Sequence, residues 1–145
     1  MEDYERAADA RLEDWNALNK AHRKVGTIHM GGIYIECLLK GMICMMYSVH
    51  EENPYGSKWN VNGVVRNRPA HGLTDHTYQV LLEDLYDDMS EEVMESLEYI
   101  SQPENRGYID YRYCPEEEVS EEQYENWLEH FMRVFDYLQD RKYDI

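Results

Sequence analysis

Apolar residues return at helical spacing along most of this chain, and no segment sustains the alternation of a half-buried strand. Tyr4, Ala7, Ala8, Leu12, Trp15 and Leu18 recur every three or four positions with charges between them. That spacing predicts an amphipathic helix of roughly 20 residues. Gly26 offers a break, and a second helix is expected from about Thr27 to His50. Its apolar residues cover most of the circumference, as in a central helix buried by its neighbours. From Asn53 to Leu73 the pattern lapses into Pro, Gly and Asn, so a long loop is expected over residues 53–73. Thr74-Asp75 reads as the cap and first turn of a third helix, carried by Tyr78, Leu81, Leu82 and Leu85 to about Met89. Ser90-Glu91-Glu92 starts a fourth helix that Pro103 ends. Residues 102–119 form a second irregular stretch, rich in tyrosine. Ser120-x-x-Gln123 then matches a capping box ahead of the clearest apolar stripe, Tyr124, Trp127, Leu128, Phe131, Phe135 and Leu138. The expected fold is all-α: one domain over residues 1–145, a four-to-five-helix, largely antiparallel bundle.

Length and charge sharpen that picture. A chain of 145 residues is long enough for one real core. The net charge of −16 favours solubility and on average repels nucleic acid. The average misleads, because residues 16–74 carry seven Lys and Arg against three acids, whereas the rest carry seven against twenty-seven. An anion is therefore expected to meet the first half, and a basic partner the acidic second half. Cys37, Cys44 and Cys114 include no C-x-x-C pair, and no secretory leader is evident. Buried, reduced thiols in a cytoplasmic protein are expected. The run from Ile28 to Val49 is interrupted by His29, Glu36 and Lys40, so it is expected to be a core helix and no membrane span.

The candidate chemistry lies in Arg66-Asn67-Arg68-Pro69-Ala70-His71, inside a window from Asn53 to Thr74 that holds no acid. An arginine that grips a phosphate and a histidine that moves a proton near neutral pH are the minimum for cleaving RNA without a metal. The competing reading has His71 seat the third helix while Arg66 and Arg68 stay solvated. Pro69 disfavours a continuous helix through the motif and pushes Asn67 and Arg68 towards extended backbone. Arg66 is therefore expected in the loop and His71 near the start of the third helix. Arg68, Lys58 and Arg112 are candidate binding cations.

Glu36 and Lys40 stand four apart in a nearly all-apolar helix, an ion pair expected to tie that helix to Arg112 or to the loop. The six histidines lack the spacing of a built zinc site, and no cofactor is implied. Met42, Met45 and Met46 read as core filler. Tyr108, Tyr111 and Tyr113 read as packing under the final helix, and Glu116-Glu117-Glu118 as its solvated lead-in. Neither a Gly-rich phosphate loop nor a G-x-S-x-G motif is present.

Three short segments together carry a family resemblance. Ile33-Tyr34-Ile35-Glu36-Cys37-Leu38-Leu39-Lys40-Gly41 resembles the second-helix A-x-E-x-x-L-K-A segment of the HEPN superfamily of small helical bundles. His71-Gly72-Leu73 resembles its H-D-L element, and Arg112-Tyr113-Cys114-Pro115 its R-Y-P element with an added Cys. Arg66 to His71 is similar to the R-x(4–6)-H signature of the family's ribonuclease toxins, and Trp59 upstream fits that branch. It departs from the signature at Pro69, and at Leu73 where the toxins usually place Tyr. The resemblance implies an HEPN-like bundle, His71 acting on the ribose 2′-hydroxyl, Arg66 on the phosphorane-like transition state, and Asn67 orienting the pair. It also implies a homodimer that brings two motifs into one cleft.

Two functions follow. One is a metal-independent endoribonuclease of a toxin–antitoxin or phage-defence system, with an antitoxin as partner. The other is a non-catalytic module that holds a partner such as a nucleotidyltransferase-type subunit.

Overall fold

The computed structural model describes residues 3–142. Helix α1 (Tyr4–Lys20) opens with Asp3 as its cap, the carboxylate accepting from the Arg6 amide. A three-residue turn, with His22 in the left-handed region (φ 55°), returns the chain into α2 (Lys24–Met46), and the two helices pack along each other as an antiparallel hairpin. Helix α2 has the length and composition of a membrane span, yet 72% of its apolar window is buried inside the fold, which makes it a core helix.

The turn before α2 leaves its first amides without a local cap. Glu116 supplies one from far along the chain, its carboxylate accepting from the Lys24 and Val25 amides at 2.8 and 3.0 Å. Glu116 is thus a cap for α2 and not a solvated lead-in to the last helix. At mid-helix, Gly31 and Gly32 let aromatic rings come to the backbone. A Cβ would sit 2.3 Å from the Trp127 ring at Gly31 and 2.3 Å from the Tyr108 ring at Gly32.

The all-α expectation needs correction. Helix α2 stops at Met46, and Val49–Glu51 (β1), Lys58–Val61 (β2) and Val64–Asn67 (β3) form an antiparallel sheet in that order. Asn62-Gly63 is the two-residue hairpin between β2 and β3, with φ of 50° and 87°. Such a turn favours Asn-Gly because both central residues need positive φ. Trp59 and Val61 of β2 point inward, and the Trp59 ring lies 5.9 Å from that of Tyr4 on α1. The extended backbone expected ahead of Pro69 is present, but as a strand: Arg68 donates to the Ser57 carbonyl at 3.0 Å, and the ladder ends where proline has no N–H to give.

The expected third helix is two. Asp75 caps α3 (His76–Leu81), and Leu82, at φ −117° and ψ 42°, separates it from α4 (Glu83–Asp87). Helix α5 (Glu91–Ser101) is capped by Ser90 as expected. The stretch after it is built from short 3-10 helices, including Tyr108–Tyr113, which packs mainly on α2, while the Tyr111 hydroxyl accepts from Gln123 of the final helix. Helix α6 (Glu121–Arg141) has the predicted Ser120 cap and buries Trp127 and Phe131. Trp15 and Trp127 both stack on the Phe131 ring, with centroids at 4.6 and 4.9 Å. The buried residues of these helices and of the sheet's inner face form one cluster. None of the three cysteines forms a disulfide among the described residues.

Candidate functional site

Glu36 is the centre from which the site is built. It follows Gly32 by one helical turn, and the Tyr108 ring lying against Gly32 brings its hydroxyl to Glu36 Oε1 as a donor. Lys40, one turn further on, donates to Oε2 at 2.8 Å. His71 reaches in from the turn ahead of α3, its Nδ1 2.6 Å from Oε1. All three neighbours donate to one carboxylate, as a buried acid requires. Burial pushes the Glu36 carboxyl up, but the Lys40 charge and the hydrogen bonds from Lys40, Tyr108 and His71 outweigh it and leave it below its ordinary value. Burial, followed by the Glu36 charge, drives the Tyr108 phenol far above its usual range, so it stays a donor.

The exposures differ in a way that matters. The side chains of Lys40 and Glu36 are 3% and 12% exposed, whereas that of His71 is 61% exposed. An ionised carboxylate only accepts, so His71 carries its proton on Nδ1 and Nε2 is left as the basic nitrogen. This buried acid behind an accessible imidazole is the arrangement that fixes tautomer and orientation in general-base pairs. A cleft of about 400 Å³ opens over the group, with Arg11 from α1, Arg68 from the end of β3, and Ile109 on its walls.

The sequence-derived candidates divide accordingly. His71, Arg68, Glu36 and Lys40 line one cleft. Arg66, Asn67, Lys58 and Arg112 do not line it. Arg66 is in strand β3 and not in a loop. It pairs with Trp59 and so shares the sheet's inner face, where its Nε is covered without a hydrogen-bond partner among the described residues. Asn67 faces the other way, as strand alternation demands, and accepts from Lys58 across the ladder. Its side-chain oxygen is engaged by Lys58, and among the described residues it makes no hydrogen bond to Arg66 or His71. Arg112 stacks over the exposed Tyr113 ring at 4.8 Å, and the partners of Glu36 come from the loop and from Tyr108 instead.

Two lining or bonding residues, Arg11 and Tyr108, were missed from sequence. A buried Glu advertises that it needs donors, but nothing in the local pattern says which distant side chains supply them. Among the described residues, no group of three or more His, Cys, Asp or Glu side chains is placed to hold a metal ion. A second histidine pair, Ser96 Oγ with His130 Nδ1 at 2.9 Å, is a core contact: Ser96 is fully buried and also accepts from Arg133. Comparison with protein-family models, with curated proteins and with solved structures finds no match.

Proposed function

We propose that this chain is a metal-independent endoribonuclease of the HEPN type, working in the cytoplasm as the toxin of a toxin–antitoxin or phage-defence pair. The observation that carries the reading is the His71–Glu36 bond at the floor of a cleft with arginine on its wall. In the proposed reaction His71 Nε2 takes the proton of a ribose 2′-hydroxyl. The 2′-oxygen bonds to phosphorus, the bond from phosphorus to the 5′-oxygen breaks, and solvent protonates the leaving oxygen. The products are a 2′,3′-cyclic phosphate and a 5′-hydroxyl. Glu36 acts as a positioning residue and stabilises the imidazolium that forms. Arg68 offers the charge-assisted donors that a phosphorane-like transition state needs.

The test is incubation of the full chain with RNA in the presence of a chelator, followed by analysis of the ends. Cyclic phosphate ends with the native protein, and their loss in His71→Ala, are the expected results. Intact RNA, or undiminished cleavage by a folded His71→Ala variant, sinks the reading.

A second reading has one observation in its favour. The net charge of −16, concentrated outside residues 16–74, suits a non-catalytic module that holds a basic protein such as a nucleotidyltransferase-type subunit. Unchanged RNA in the assay above, with a stable complex formed with such a subunit, would select it.

A further inference from the structure

The R-x(4–6)-H spacing directs attention to Arg66, yet the cleft over His71 is furnished by two other arginines. We infer that Arg11 and Arg68 of a single chain form the phosphate grip of this site, that Arg66 takes no part in it, and that its ligand is the phosphate of a ribonucleotide. The choice of ligand rests on the ribonuclease reading; the grip itself rests on geometry.

Arg68 stands two residues beyond Arg66 and directly after the last strand residue. Its backbone is held by the bond to Ser57, while its side chain is exposed on the cleft wall. A Cβ placed on Gly56 would lie 3.6 Å from Arg68 Nη1 and 3.2 Å from Glu51 Oε1, so an acid is near, but no ion pair holds the guanidinium among the described residues. Arg11 comes to the same cleft from α1. Its Nε is 3.4 Å from Asp14 Oδ2, within reach of an ion pair but without hydrogen-bond geometry, so that nitrogen is covered and unbonded. An exposed pair of this kind is worth little and gives way to a better acceptor. Lys40 is already committed to Glu36, which leaves Arg68, held in no ion pair among the described residues, and Arg11, paired only to the exposed Asp14, as the cations a ligand in the cleft can engage.

The size agrees with the ligand. About 400 Å³ is within the usual range of small-molecule sites and admits a nucleotide. Guanidinium forks match phosphate oxygens in pairs, and two of them lining one cavity recognise a phosphate better than a lone positive charge does. Arg66 differs in place: it belongs to the sheet's inner face beside Trp59 and does not line the cleft, although its Nε, like that of Arg11, is covered and unbonded. Because α1, α2, β3 and the His71 turn belong to the same chain, the grip is complete without a second copy.

The experiment is a calorimetric titration of the full chain with uridine 3′-monophosphate at low ionic strength, without metal. One molecule per chain is expected. Arg68→Ala and Arg11→Ala should each weaken binding by roughly tenfold to a hundredfold, the scale of a lost charge-assisted contact. Arg66→Lys, which keeps the covered stem and charge, should bind as the native protein does; Arg66→Ala should match it wherever its melting curve shows a folded chain. No saturable binding, native affinity in Arg11→Ala or Arg68→Ala, or a loss in Arg66→Lys equal to that in Arg68→Ala would each overturn the inference. Binding that depends on both arginines while RNA stays uncut defeats only the ribonuclease reading. RNA cleavage with nucleotide binding indifferent to Arg11 and Arg68 defeats only the grip.

Discussion

At the scale of single residues, Glu36 is the group whose titration has the clearest consequence. Its folded pKa lies below the ordinary value, so the folded state binds fewer protons than the unfolded chain in that range. The stabilisation is therefore complete above the ordinary carboxylate value, roughly 4.3, and is lost as pH falls through the depressed folded value. Glu36→Gln removes this dependence. It leaves Lys40, 3% exposed, without a counter-charge at neutral pH. The gap in urea-unfolding free energy between native protein and Glu36→Gln should be wide at pH 7 and narrow near pH 3; a constant gap would refute the assignment. Lys40→Met breaks the same pair from the other side and strands the carboxylate. A cost of about 3–5 kcal/mol is expected at neutral pH, falling as the medium is acidified. Sequence already marked Glu36 and Lys40 as a pair, because two charges in an apolar helix must find each other. It did not reveal the third and fourth members, His71 and Tyr108, which arrive from 35 and 72 residues away.

Elements were legible where period and caps agreed, as in α5 and α6, or where the period alone was strong enough, as in α1, and illegible where a strand was too short to show its period. The four residues of β2 and of β3 carry one clear signal between them, Asn62-Gly63, the strongest short-range mark of a hairpin. The adjacent valines 64 and 65, both exposed, hid the alternation that would have accompanied it. Gly63 has open space around its missing Cβ but φ of 87°, so Gly63→Ala should destabilise by about 1 kcal/mol through backbone strain alone. A thermal shift no larger than that of a surface control would contradict the turn. Gly32→Ala tests the close approach instead. Alanine is the better helix former, worth about 1 kcal/mol in an exposed helix, yet here its methyl meets the Tyr108 ring at 2.3 Å. Overpacking of about 1–3 kcal/mol should outweigh the gain. The same change should displace the Tyr108 hydroxyl from Glu36, so weaker acid dependence is expected along with lower stability.

On the scale of the whole molecule, the uneven charge was legible from the start, since an acid-free window inside an otherwise acidic chain is visible without coordinates. What that window does in space was not. Half of it became a sheet that turns Arg66 inward and Asn67 outward, and only its last residues, Arg68 and His71, reach the cleft. The difference bears on assembly. The family resemblance implies two motifs meeting across a dimer axis, whereas His71, Glu36, Lys40, Arg68 and Arg11 share one cleft within one chain. If chemistry is confined to that cleft, RNA cleavage per mole of chain should stay constant as the protein is diluted through any association equilibrium. The measurement pairs initial cleavage rates over a wide dilution series with sedimentation of the same samples. A site shared across an interface would instead lose specific activity along with the dimer fraction. The salt response gives an independent check, because a grip of two arginines releases few counterions when it binds phosphate. Cleavage should therefore fall only shallowly with added salt, while a steep fall would place further cations, such as Lys58 or Arg112, in contact with the RNA.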